Sequence, residues 1–135
     1  MAVYFADTSF WVALVDRQDV YHSKAVEWSL AVSGTMITTE AVLLETANAF
    51  SRPDWRDKVI ALVNHILNRD DIQVVPFSDA IWSRGWKLFG DRPDKSWSLT
   101  DCISFEVMQE RGLTRALAAD SHFRQAGFQA LLLDA

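Results

Sequence analysis

The chain holds a single cysteine, Cys102, among its 135 residues. One thiol excludes an internal disulfide and a cysteine-based zinc site. Its three histidines, His22, His65 and His122, include no pair at ligand spacing, which argues against histidine-bound zinc. No apolar run approaches the roughly 18 residues of a membrane span. The opening Met1-Ala2-Val3-Tyr4-Phe5-Ala6-Asp7 has no basic stretch ahead of its short apolar run, unlike a secretory signal. Low-complexity segments and internal repeats are absent. These absences predict a cytoplasmic protein without membrane association. Cations are also in deficit, with 13 Lys and Arg against 18 Asp and Glu, a net charge of −5. A simple phosphate-binding module carries a basic face. If this chain acts on nucleic acid, its own acids must first be masked by metal.

What is present suits one packed unit. Half the residues are hydrophobic, enough for a continuous core, and the length predicts a single domain over 1–135. Short β-branched or aromatic runs predict strands at 3–6, 35–38, 72–75, 115–119 and 130–133. Amphipathic spacing predicts helices over 21–32, from Thr38 or Thr39 to about Phe50, and over 55–68. Further helices are expected from Ser78 or Asp79 to Gly90, over 99–111, and as a turn at 121–125. Gly34 and Gly112 fall where helix C-terminal glycines belong. Strands alternating with helices predict an α/β layer fold around a mostly parallel sheet of four or five short strands flanked by helices.

Four acids stand where these segments end or turn. Asp7 closes Val3-Tyr4-Phe5-Ala6, and Asp120 closes Ala116-Leu117-Ala118-Ala119. Asp101 opens the helix that begins near Leu99, and Glu45 lies on a helix, away from the stripe Leu43, Ala47 and Phe50. In open parallel sheets, ligands bind beyond the carboxyl ends of the strands. Two carboxylates about 4 Å apart repel by about 1 kcal/mol in water and about 4 kcal/mol at an effective dielectric near 20. A cluster of four therefore calls for a hard, oxygen-seeking cation such as Mg²⁺. Such a cation activates water and stabilises charge in phosphodiester hydrolysis. Each acid also has a plainer reading: helix capping for Asp7 and Asp120, dipole stabilisation for Asp101, and a solvated helix face for Glu45.

Taken together, Phe5-Ala6-Asp7-Thr8-Ser9, Leu44-Glu45, Ser98-Leu99-Thr100-Asp101-Cys102 and Ala119-Asp120-Ser121-His122-Phe123 resemble the motifs of PIN domains. Within that family, the resemblance is to the VapC-like toxin ribonucleases of toxin–antitoxin pairs. It covers essentially the whole chain, with the motifs in family order and none of the four acids missing. It implies a three-layer PIN-like fold and a metal-dependent endoribonuclease using Mg²⁺ or Mn²⁺. Asp7, Glu45 and Asp101 would hold the main metal, and Asp120 would assist it or hold a second. Ser9 and Thr100 would support the acids by hydrogen bonding. The resemblance also implies an RNA substrate, a small VapB-like antitoxin that masks the acids with a basic side chain, and a homodimer.

Other features carry competing readings. Cys102 should face the core. His122 lies close enough in sequence to orient Asp120, although capping or packing is its plainer role. Among six tryptophans, Trp82 and Trp86 share a helical face. Core packing is their default explanation, ahead of an aromatic patch for self-association or antitoxin, or RNA base stacking. Arg92 and Lys95, in the loop before Asp101, are candidates for reaching substrate phosphate. A haloacid-dehalogenase-type phosphatase would need a second aspartate where Ser9 stands. A receiver-type phosphoacceptor would need adjacent acids near the first strand and a late lysine. A solitary or housekeeping PIN nuclease and a non-catalytic PIN scaffold complete the alternatives.

Overall fold

The computed structural model describes residues 2–134. Met1 and Ala135, the ends of the expected 1–135 domain, lie outside the described residues. Strands β1 (Val3–Ala6), β2 (Thr35–Thr39), β3 (Ile72–Val75), β4 (Arg115–Leu117) and β5 (Gln129–Ala130) form one sheet in the order β3-β2-β1-β4-β5. Every pairing is parallel. The sheet is therefore wholly parallel, and its central strand β1 is a continuous apolar run, as burial on both faces requires. Phe5, Ala6, Ala116 and Leu117 are fully buried.

Helices α1 (Thr8–Val15) and α2 (His22–Ala31) join β1 to β2, and α3 (Glu40–Ala49) and α4 (Pro53–Leu67) join β2 to β3. Helices α5 (Asp79–Asp91) and α6 (Leu99–Glu110) carry the chain back across the sheet to β4, and α7 (Ser121–Gln125) leads to β5. The chain thus steps outward from β1 in one direction and later in the other. Right-handed crossovers then set α1–α4 on one face and α5–α7 on the opposite one. Within each group α1 packs against α2, α3 and α4, and α6 against α5 and α7, while α3 also meets α6. The reversal of direction falls between β1 and β4, which makes the gap at their carboxyl ends the topological switch point.

Three expectations need correction. The last strand is not 130–133. β5 spans Gln129–Ala130, and Leu131–Leu133 curl into a turn closed by the Leu133 N–H donating to the Ala130 carbonyl at 3.0 Å. That run reads as a strand because it is apolar, but Leu132 is buried from a turn, with its N–H on the Ala118 carbonyl at 3.1 Å. β4 also stops at Leu117, two residues early, and the Ala119 N–H turns to the Ser9 hydroxyl instead of a neighbouring strand. Gly34 does not end α2, whose cap is Val32. Its role is close approach, since a Cβ there would lie 1.8 Å from the Ala2 carbonyl oxygen. Gly112 does adopt the left-handed conformation (φ 66°) just beyond α6.

Candidate metal centre at the switch point

Asp7 follows β1 directly. Its N–H still donates to the Leu117 carbonyl at 3.1 Å, so the strand end stays tied to β4. As the N-cap of α1, its Oδ2 accepts from the Ser9 N–H at 3.1 Å and from the Ser9 hydroxyl at 2.7 Å. The Ser9 hydroxyl in turn accepts from the Ala119 N–H at 2.9 Å. One hydroxyl thereby links the acid after β1 to the segment after β4. Asp7 is 3% exposed, and its Oδ1 is buried without a hydrogen-bond partner. An unpaired buried polar atom costs about 1–3 kcal/mol, more if charged.

Asp101 sits in a capping box at the start of α6. The Asp101 N–H donates to the Ser98 hydroxyl at 3.0 Å, and the Ser98 N–H donates back to Asp101 Oδ2 at 3.1 Å. The same Oδ2 accepts from His122 Nδ1 at 2.9 Å. Asp120 caps α7, its Oδ1 accepting from the His122 N–H at 2.9 Å. The imidazole Nδ1 lies 3.3 Å from that oxygen as well. Phe123 pins α7 to the core by packing edge-on to Phe105, with ring centres 5.0 Å apart. Glu45 reaches the site from α3. Thr39 caps that helix, accepting from the Val42 N–H at 3.0 Å, while the Thr38 hydroxyl donates to the Ala6 carbonyl at 2.9 Å and fixes β2 against β1.

All four acids line one open cleft of about 330 Å³, with Ser9, Asp19 and Tyr21 also on its wall. Ligand atoms of Asp101, Asp120 and His122 lie within 4.8 Å of one another, while Asp7 and Glu45 complete the wall. Burial pushes the Asp7 carboxyl up from 3.8 to about 7, with the charges of Asp101 and Glu45 adding to the effect and Ser9 opposing it. Burial raises Asp101 too, with Asp120 adding and the His122 hydrogen bond opposing. Burial thus disfavours the charged form of both acids, and a bound cation would offset that cost. Oxygen-only carboxylates, one of them carrying an orphaned atom, fit Mg²⁺ or Mn²⁺, which favour such donors. A larger depression of about 850 Å³ lies between α1 and α4, but Asp16 is its only carboxylate.

The sequence profile of the PIN domain matches residues 4–129. The chain belongs to the PIN domain family. Among curated proteins, it is 28% identical over 124 residues to the 23S rRNA-specific endonuclease VapC20 of Mycobacterium tuberculosis, covering 92% of this chain and 94% of the relative. The crystal structure of that protein, described as a sarcin–ricin loop cleaving toxin, superposes with a TM-score of 0.87 at 26% identity. The overlap is 96% of this PIN domain and 98% of VapC20. VapBC2 from Rickettsia felis, solved bound to a DNA fragment from its promoter, shares the fold, with a TM-score of 0.66 at 14% identity over 93% of each chain.

The fold brings the four sequence-selected acids of this PIN domain to one cleft. Ser9 contacts Asp7 as expected. Thr100 lies beside Glu45 in an adjoining groove, and among the described residues its hydroxyl makes no hydrogen bond to the acids. Arg92 is held by Asp94 at 3.0 Å and stacks on Trp97. Cys102 is fully buried, and its thiol is pushed up to about 11 by burial and by the nearby Asp101 and Glu106, so it is a core sulfur rather than a nucleophile. Two features escaped sequence reasoning. Asp19 and Tyr21 reach the cleft from the α1–α2 connection, which carries no motif. The His122 ring contacts Asp101, 21 positions away, and no local pattern signals such a contact. Trp82 and Trp86 are not core residues but 46% and 56% exposed.

Proposed function

We propose that this PIN domain, as one unit over 1–135, is a cytoplasmic, metal-dependent endoribonuclease and the toxin of a toxin–antitoxin pair. The observation that carries the reading is the convergence of Asp7, Glu45, Asp101 and Asp120 on one cleft at the switch point, with the buried Asp7 oxygen left unpaired. Asp7, Glu45 and Asp101 would hold a Mg²⁺ or Mn²⁺ ion, and Asp120 would steady it or hold a second. Such an ion supplies Lewis acidity towards the phosphodiester and lowers the pKa of water. The side chains supply the rest. Ser9 keeps Asp7 Oδ2 oriented by donating its hydroxyl proton, and Ser98 fixes Asp101 through the capping box. Tyr21 and Asp19 form part of the cleft wall beside the acids.

The substrate is structured RNA. The large-subunit rRNA loop for which VapC20 is described is the first candidate, given the likeness over nearly the full length of both chains. A small VapB-like antitoxin is the expected partner, its basic side chain offsetting the acids. The protein is further proposed to be a homodimer. In support, Trp82, Trp86 and Phe89 form an exposed ladder on α5, with ring centres 5.9 Å apart at each step. The neighbouring cations Arg84 and Lys87 are paired with Glu110 and Asp91. A neutral aromatic face suits a second copy better than RNA. No helix among the described residues is long and apolar enough to cross a membrane.

The test is cleavage of a ribosomal RNA fragment containing that loop. Cutting should require Mg²⁺ or Mn²⁺, stop with EDTA, and disappear in Asp7→Asn. Metal-independent cutting, or full activity in Asp7→Asn, would overturn the assignment.

A further inference from the structure

We infer that His122 is a positioning residue that straps the acids of α6 and α7 together, setting their spacing for the metal; this rests on the metal-site reading above. Its Nδ1 faces Asp101 Oδ2 at 2.9 Å and Asp120 Oδ1 at 3.3 Å. An ionised carboxylate only accepts hydrogen bonds, so opposite ionised Asp101 the proton in this contact belongs to Nδ1. His122 also donates its backbone N–H to Asp120 Oδ1. One residue therefore holds the Asp120 carboxylate through its backbone and Asp101 through its ring, joining the two acids.

The strap matters because the two acids sit on separate supports. Asp101 is nine-tenths buried and fixed by Ser98. Asp120 is at the edge of the five-residue α7, about a third exposed, and among the described residues its carboxylate accepts one hydrogen bond, from the His122 backbone N–H, with the imidazole Nδ1 3.3 Å from the same oxygen. Without the imidazole, α7 loses its hydrogen bond to Asp101, and the Asp120 carboxylate loses the ring nitrogen 3.3 Å from its Oδ1. With it, the oxygens of Asp101 and Asp120 are held close enough for one cation to reach both. The neighbour Phe123 is fully buried, so the main chain of α7 is anchored whatever occupies position 122. The orienting function therefore lies in the ring nitrogen.

Two measurements on the purified full chain test this. Calorimetric titration with Mn²⁺ should show affinity weakened about tenfold in His122→Ala, the usual cost of losing a group that orients a ligand. His122→Asn, whose amide N–H can take the place of Nδ1–H, should recover most of it. Equal affinity in wild type and His122→Ala, or equal loss in both variants, overturns the inference while leaving the metal site intact. So does a ¹⁴N coupling on bound Mn²⁺, which would make His122 a direct ligand. The second measurement needs no metal: a long-range ¹⁵N–¹H spectrum of the metal-free protein should show a proton on His122 Nδ1. An unprotonated Nδ1 overturns the strap. A protonated Nδ1 together with no Mn²⁺ binding by wild type would support the strap and sink the metal-site reading alone.

Discussion

Replacing Asp7 by Asn should make the metal-free protein more stable, even as it removes the proposed activity. The carboxyl pKa is pushed from 3.8 to about 7 in the folded protein, chiefly by burial. Between those values the folded protein holds a proton that the unfolded chain has released, so stability falls as pH rises through that window. At about 1.4 kcal/mol per pKa unit, the ionised form costs about 4 kcal/mol above pH 7. Relaxation and water entry will reduce this, and a gain of about 2–4 kcal/mol is expected for the variant. Asn is an equally good N-cap, so α1 keeps its start. In a chain of this length, the melting temperature should rise on the order of 10 °C. Thermal melts in EDTA from pH 4 to pH 8.5 provide the assay. Wild type should lose stability across that range, with Asp101 adding a slope of the same sign. Asp7→Asn should be flatter and should exceed wild type above pH 7. Adding Mn²⁺ should stabilise wild type by mass action and leave the variant unmoved. Equal melting of the two proteins at pH 8 in EDTA would refute the reasoning, because Asp7 would then carry no buried charge.

Ser9→Ala removes the hydroxyl that serves both Asp7 and Ala119. It should cost about 1–2 kcal/mol of stability in urea melts and lower cleavage without abolishing it; unchanged stability would argue against the bridge. Gly85→Val should destabilise by about 1–3 kcal/mol through overpacking, since a Cβ at that site would lie 2.5 Å from Ile103 Cγ1 on α6. Trp86→Ser should convert a dimer to a monomer in light scattering, with the melting temperature little changed; a wild type that is monomeric at high micromolar concentration would refute the proposed α5 interface.

Much of the architecture is legible in the chain because parallel strands buried on both faces read as short apolar runs. Asp7 and Asp120 can be placed at strand ends by inspection, and the sheet order then sets them side by side. Glu45 is legible only by contrast with its helix's apolar stripe, since a solvated glutamate would stand in the same place. Thr46, fully buried beside it, escapes a hydropathy reading because its hydroxyl is satisfied by donating to the Val42 carbonyl at 2.7 Å. Trp82 and Trp86 mislead because residue type favours the core while helical position does not. Ile81 and Gly85 take the inward face of α5 and leave the tryptophans outside. Leu131–Leu133 mislead in the opposite way, since burial alone does not separate a strand from a packed turn. The His122 contact depends on α6 and α7 meeting in space, which no local pattern encodes.

Mn²⁺ titration of wild type beside Asp7→Asn, Glu45→Gln, Asp101→Asn and Asp120→Asn, followed by electron paramagnetic resonance of the free ion, reads out the proposed cation site itself. Wild type should bind saturably, with binding abolished or strongly weakened in Asp7→Asn and Asp101→Asn and reduced in the other two. Binding that survives all four substitutions, or no binding by wild type, would contradict a single cation site built from these acids.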